Sequence, residues 1–128
     1  MNEKILIIDR EPDIRKTLET FLRKKGYQVR SVSGGQEAMD TLKSESFDLI
    51  IMDINIPRAK GLEVLKKIKE LEESIEVIVL TGLNSVNNAV QALRHNGAFD
   101  FLSKPLENED QLISSVEKAL QKQRLHKK

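Results

Sequence analysis

The sequence predicts an α/β domain of three layers, with a five-stranded parallel sheet covered by helices on both faces. Three observations predict it. The runs Ile5-Leu6-Ile7-Ile8, Leu49-Ile50-Ile51-Met52 and Val77-Ile78-Val79-Leu80 are too short for helices and lack the alternation of a half-wet strand, as expected of strands covered on both sides. The segments between them carry apolar residues every three or four positions, the spacing of a helix with one buried face. Proline and glycine fall at the junctions.

Taken in order, the strand at Ile5 to Ile8 leads into a helix whose buried face is Ile14, Leu18, Phe21 and Leu22. Pro12 suits the first turn of that helix, where a missing N–H costs nothing, and Gly26 stands where it should stop. Tyr27 to Val32, interrupted by Gln28 and Arg30, fits a strand near a sheet edge. Gly34-Gly35 precede a shorter helix with Ala38, Met39 and Leu42 inward. After the strand at Leu49 to Met52, Leu62, Leu65, Ile68 and Leu71 line a third helix. After Val77 to Leu80, Val86, Ala89, Val90 and Leu93 line a fourth, which should end at Gly97. Ala98 to Ser103, broken by Asp100, is a second edge strand, and Leu112, Ile113, Val116, Ala119 and Leu120 mark the last helix. Residues 1–121 are expected to form the domain, and 122–128 a solvated basic tail or the start of a linker.

Composition sets bounds. A chain of 128 residues fits one domain and leaves no room for a second. With 21 Lys+Arg against 20 Asp+Glu, the formal net charge of +1 supplies no field for nucleic acid, a membrane surface or an acidic substrate. The absence of cysteine removes disulfide scaffolds, thiol nucleophiles and cysteine-ligated zinc, and suits a reducing cytoplasm. No apolar run approaches the roughly 18 residues of a membrane span. Any function must therefore be local.

Ligands of open α/β sheets bind at the carboxyl ends of the strands, so the residues just after each apolar run are the ones to inspect. They are Asp9, Asp53, Thr81 and Lys104. Any one of them alone reads as a cap or turn residue. Four at equivalent ends of separate strands suit phosphoryl transfer: a carboxylate nucleophile, oxygens for a divalent cation, and a hydroxyl and an ammonium for the phosphoryl oxygens.

The motifs around these ends are Ile7-Ile8-Asp9-Arg10-Glu11-Pro12-Asp13, Ile51-Met52-Asp53-Ile54-Asn55-Ile56-Pro57, Val79-Leu80-Thr81-Gly82 and Gly97-Ala98-Phe99-Asp100-Phe101-Leu102-Ser103-Lys104-Pro105. In order and spacing, over nearly the whole chain, they resemble the receiver domain of response regulators in two-component signalling. The resemblance implies a flavodoxin-like strand order, 2-1-3-4-5. It implies that Asp53 accepts a phosphoryl group from a sensor histidine kinase or a histidine phosphotransfer protein. Asp9, Asp53 and the backbone carbonyl of Asn55 would hold Mg²⁺. Lys104 would pair with the phosphorylated carboxylate, with Pro105 shaping its loop. Thr81 would bond a phosphoryl oxygen, and Phe101 lies at the aromatic switch position, where it can equally be a plain core residue. The surface of the fourth helix, fifth strand and fifth helix would then change its affinity for partners. By the same resemblance the chain is a cytoplasmic signalling module, not an enzyme beyond self-phosphorylation and slow dephosphorylation. A downstream output domain and a second copy of the chain are the further partners it allows.

One position departs from the family. Receivers usually carry a second acidic residue after the first strand, a direct ligand of the magnesium ion, and here it is Arg10. Mg²⁺ takes about six oxygens, and a guanidinium supplies none while adding repulsion. Three arrangements stay open: Asp9 or Glu11 moves in to hold a metal; Arg10 folds over and pairs with Asp53 or Asp9 in the cation's place; or Arg10 turns to solvent. Metal dependence should weaken in each.

Other classes fit less well. A phosphatase of the haloacid-dehalogenase type needs a second aspartate two residues after its nucleophile, and Asn55 stands there. A flavodoxin needs hydroxyl and glycine residues after the first strand, where this chain has Asp9-Arg10-Glu11-Pro12. His95 and His126 read as surface residues, and Lys66 to Glu73 as an exposed helix face. The remaining alternative is a receiver-like module that docks on a partner regardless of phosphate.

Overall fold

The computed structural model describes residues 3–56, 61–82, 86–104, 106 and 108–126. Strands β1 (Lys4–Ile8), β2 (Gln28–Val32), β3 (Leu49–Asp53), β4 (Glu76–Thr81) and β5 (Asp100–Ser103) alternate with helices α1 (Pro12–Lys24), α2 (Gly35–Ser44), α3 (Gly61–Leu71), α4 (Val86–His95) and α5 (Glu109–His126). All strand pairs are parallel, in the order β2-β1-β3-β4-β5. The fold class, strand order and edge positions are those expected.

The period of two along each strand sorts the core into two layers. Ile5, Ile7, Leu49, Ile51, Ile78 and Leu80 pack with Leu18 and Leu22 of α1 and with Leu112, Val116 and Leu120 of α5. Leu6, Ile8, Ile50, Met52, Val77 and Val79 face the other way, toward Ala38 of α2, Leu65 and Ile68 of α3 and Ala92 of α4. β3 and β4 are buried at every position. The edge strand β2 is covered only intermittently. Burial of apolar surface on both faces, about 25 cal/mol per Å², is what fixes the three layers.

The junction residues act as expected. Pro12 opens α1, and Gly26 and Gly97 adopt φ of +92° and +86° just beyond α1 and α4, a conformation that L side chains rarely take. Asp100 is accommodated at the start of β5 because Ser115 of α5 donates to its Oδ2 at 2.8 Å. The expected boundary at residue 121 falls inside α5, which continues to His126. Three contacts carry it on: Gln123 is buried, Lys122 lies 3.6 Å from the buried carboxylate of Glu76, and Arg124 pairs with Glu3. None of the described helices is long and apolar enough to cross a membrane.

Gly61 packs the start of α3 against the backbone that follows β3. A Cβ there would stand 2.1 Å from the carbonyl oxygen of Ile54. Gly61→Ala is therefore expected to lower stability by about 1–3 kcal/mol, the usual cost of overpacking, as read by urea denaturation. An unchanged midpoint would show that this contact relaxes freely.

Candidate functional site

The register of the central strands brings the polar ends together. Ile8 pairs with Met52, so Asp9 and Asp53 follow side by side on β1 and β3. Asp53 is in register with Leu80 on β4, and Thr81 with Ser103 on β5. Backbone bonds continue past the sheet and hold these ends in line: Asp9 N–H to Val32 O at 3.1 Å, Ile54 N–H to Leu80 O at 2.9 Å, and Lys104 N–H to Thr81 O at 2.8 Å. The last of these starts the Lys104 side chain inward, across the end of β4.

The Lys104 ammonium lies 2.9 Å from Asp53 Oδ2, 2.9 Å from Glu11 Oε2 and 2.8 Å from Asp9 Oδ2. It hydrogen-bonds the first two. Asp9 Oδ2, which is buried, is held by the same ammonium as an ion pair. The other oxygens are held by backbone: Asp53 Oδ1 accepts from Asn55 N–H at 3.0 Å, and Asp9 Oδ1 from Glu11 N–H at 2.9 Å. Asp9 and Asp53 are buried, whereas the Glu11 side chain is 52% exposed.

Charge follows this geometry. Burial works to lower the pKa of Lys104, but its contacts with Asp9, Asp53 and Glu11 outweigh it and hold the ammonium above the ordinary lysine value. For Asp9 burial dominates, and despite Lys104 and the Glu11 amide its carboxyl is held above the ordinary value of 3.8, with the charge of Asp53 adding to the rise. Glu11 moves down, first through its bond to Lys104.

Glu11, Asp53 and Lys104 face a cleft of about 360 Å³ that Arg10, Ile14, Asn55 and Gly82 also line. Of the residues singled out from sequence, Asp9, Asp53 and Lys104 meet directly. Asn55 joins them through its amide. Thr81 is buried at the end of β4, and its hydroxyl donates to Gly82 O at 3.0 Å, not to the cluster. Phe101 lies in register with Val79 and packs half-buried against the layer of α3 and α4. Pro57 and Pro105 lie outside the described residues.

Arg10 is exposed at the rim of the cleft, and among the described residues it makes no ion pair with Asp9 or Asp53. The arrangement in which its guanidinium folds over these carboxylates is therefore not the one adopted, because Lys104 already fills the space between them. Two partners were not visible in the sequence as such. Glu11 reaches Lys104, and Arg15 donates from Nη1 to the Asp9 carbonyl at 2.6 Å. An acidic residue two positions after Asp9 was the available signal for Glu11; for Arg15 there was none.

As they stand, no three acidic or histidine side chains among the described residues are arranged to hold a metal ion. They are instead gathered on an ammonium. The donor set still suits a hard cation, since three anionic oxygens converge on one positive charge at 2.8–2.9 Å.

Two stability tests follow. Because the folded Asp9 carboxyl binds its proton more tightly than the unfolded one, stability rises as pH falls through the raised value toward 3.8, and the carboxylate is a liability at pH 7. Asp9→Asn should therefore have a higher urea midpoint than wild type at pH 7, with the difference fading by about pH 4. A lower midpoint at pH 7 would contradict this. Lys104→Met leaves Asp9 and Asp53 buried without their counter-charge and should lower stability by about 3–5 kcal/mol at pH 7, less as acid protonates Asp9. A loss that does not shrink with acid would point to lost packing alone.

Comparison with known proteins gives the family and the fold. The family profile described as "Response regulator receiver domain" matches residues 5–117. Sporulation initiation phosphotransferase F of Bacillus subtilis (strain 168) is 36% identical over 94% of this chain and 95% of its own length. The transcriptional regulatory protein ZraR of Escherichia coli (strain K12) is 37% identical over 93% of this chain but only 26% of its own. The chain thus spans nearly all of the first and about a quarter of the second. Among solved structures, a response regulator receiver domain protein from Clostridium thermocellum superposes with a TM-score of 0.88 at 30% identity, covering 96% of this chain and 98% of that one. NtrX from Brucella abortus gives 0.92 at 31% identity, over 99% of this chain and 29% of its own.

Proposed function

The chain belongs to the response regulator receiver family, and from that membership we propose that Asp53 accepts a phosphoryl group from a phosphohistidine of a sensor kinase or phosphotransfer protein. The observation that supports this most is the setting of Asp53: a carboxylate at the floor of an open cleft, with one oxygen on the Asn55 amide and the other on Lys104. A carboxylate oxygen attacks phosphorus, the P–N bond breaks, and the imidazole leaves with its electron pair. Lys104 stays beside the new acyl phosphate and balances its added charge. Both groups are positioned before the donor arrives, so little reorganisation is needed at the moment of transfer.

Receivers use Mg²⁺ at this place; here Asp9, Asp53 and the Asn55 carbonyl are the groups that would hold it. Bound there, it would neutralise charge on the phosphoryl oxygens.

The response begins at Thr81. Its hydroxyl turns from Gly82 O to a phosphoryl oxygen and draws its loop toward Asp53. The Lys104 amide bond to Thr81 O couples that motion to the end of β5, where Phe101 packs toward α4. A shift between two packings of Phe101 changes the face formed by α4, β5 and α5, which is then read by an output domain or a second copy of the chain. On this reading the protein is a cytoplasmic signalling module whose activity is its own phosphorylation and dephosphorylation.

Incubation with acetyl phosphate and Mg²⁺ should add one phosphoryl group to the intact mass, and Asp53→Asn should abolish the gain. No gain in wild type, or an undiminished gain in the variant, would favour a module that docks on its partner regardless of phosphate.

A further inference from the structure

We propose that Arg10 is a catalytic residue, whose guanidinium binds two oxygens of the phosphoryl group during its transfer to Asp53, on the side of the acceptor opposite Lys104. The inference rests on the reading of Asp53 as the phosphoacceptor and adds a residue to that same site.

The sheet sets a cation on each side of the acceptor. Asp53 ends β3, with β1 on one flank and β4, then β5, on the other. Arg10 stands just beyond β1 and Lys104 just beyond β5. Both line the cleft that Asp53 faces. They differ in what already holds them. The Lys104 ammonium is occupied by three carboxylates, whereas Arg10 is exposed and makes no ion pair or side-chain hydrogen bond among the described residues. Its charge nevertheless reaches the cluster: after Lys104, it too helps to lower the Glu11 carboxyl.

The charge of the site calls for such a group. Asp9, Glu11 and Asp53 bring three negative charges and Lys104 cancels one, so the cluster is left with a formal excess of two. A phosphoryl group arrives with up to about two more, and Lys104 cannot serve it fully without giving up its present partners. Arg10 is the further cation in the cleft, and its approach to a phosphoryl group breaks no existing contact.

The guanidinium also suits the step itself. An Asp53 oxygen attacks phosphorus, the bond to the leaving nitrogen of a phosphohistidine or the leaving oxygen of acetyl phosphate breaks, and that atom departs with the electron pair. Negative charge then spreads over the three equatorial oxygens of the transferring group. A planar guanidinium offers two parallel N–H donors to two of them, which a lysine does not. Contacts made only as the group is transferred lower the barrier instead of merely holding the donor.

The test is the rate of phosphoryl gain from acetyl phosphate, read by intact mass, for wild type, Arg10→Ala, Arg10→Lys and Asp53→Asn. Acetyl phosphate presents no protein surface, so docking of a kinase does not enter. Mg²⁺ is raised until each rate stops changing, which removes differences in cation affinity. Arg10→Ala should be at least about tenfold slower than wild type, as for loss of one donor to a transition-state oxyanion. Arg10→Lys should fall between the two, and the urea midpoints of both variants should match wild type because the side chain is exposed.

Three results would overturn the proposal. An Arg10→Ala rate within about twofold of wild type would leave Arg10 a surface residue. A faster rate would make it a barrier that keeps the donor or the cation out. A slow Arg10→Ala with Arg10→Lys equal to wild type would reduce Arg10 to a charge that draws the donor in, with no paired contact. In each of these cases a phosphoryl gain that Asp53→Asn abolishes retains the acceptor. Wild type that gains no phosphoryl group instead removes the acceptor, and the role of Arg10 with it.

Discussion

The ammonium of Lys104, held among the carboxylates of Asp9, Glu11 and Asp53, is the interaction on which the rest of the site depends. Neighbouring strands stand about 4.8 Å apart, so the end of β5 lies roughly 10 Å from that of β3 and farther still from β1. A lysine covers that span because its charge sits at the tip of a long flexible stem and because the backbone bond to Thr81 starts it inward. The strand order 2-1-3-4-5 puts Asp9 and Asp53 on adjacent central strands and leaves β5 at the edge to deliver the cation.

The same cluster carries a tension between stability and function. Burial disfavours the Asp9 carboxylate, the charge of Asp53 beside it adds to the cost, and the raised pKa of Asp9 records both. Lys104 offsets much of it in the resting protein. Its three contacts are also what an incoming phosphoryl group or divalent cation must compete with, so the interactions that keep the site folded set its readiness to react. The two apolar layers on either face of the sheet provide the surplus stability that makes a strained site tolerable.

The fold was legible because periodicity decides it: unbroken apolar runs gave the buried central strands, interrupted ones the edges, and Gly26, Gly97 and Pro12 the helix limits. The site was legible in outline because strand ends are where such sheets bind ligands. What could not be read depends on side-chain direction and tertiary contact. Arg10 has a long flexible side chain, and its exposure follows from Lys104 already standing between Asp9 and Asp53. Arg15 acts through a carbonyl six residues away. The continuation of α5 to His126 depends on burial of Gln123 and on Glu76 beneath it, neither of which a basic, polar stretch announces.

The central claim is that the Lys104 ammonium opposes the rise that burial imposes on the Asp9 carboxyl. It is tested most directly by following the carboxyl carbon of Asp9 by NMR through an acid titration, in wild type and in Lys104→Met. With Lys104 present the midpoint should lie above the ordinary aspartate value, and without it the midpoint should rise further, because burial and Asp53 then act unopposed. A midpoint unchanged by the loss of Lys104 would mean that the ammonium does not hold these carboxylates together.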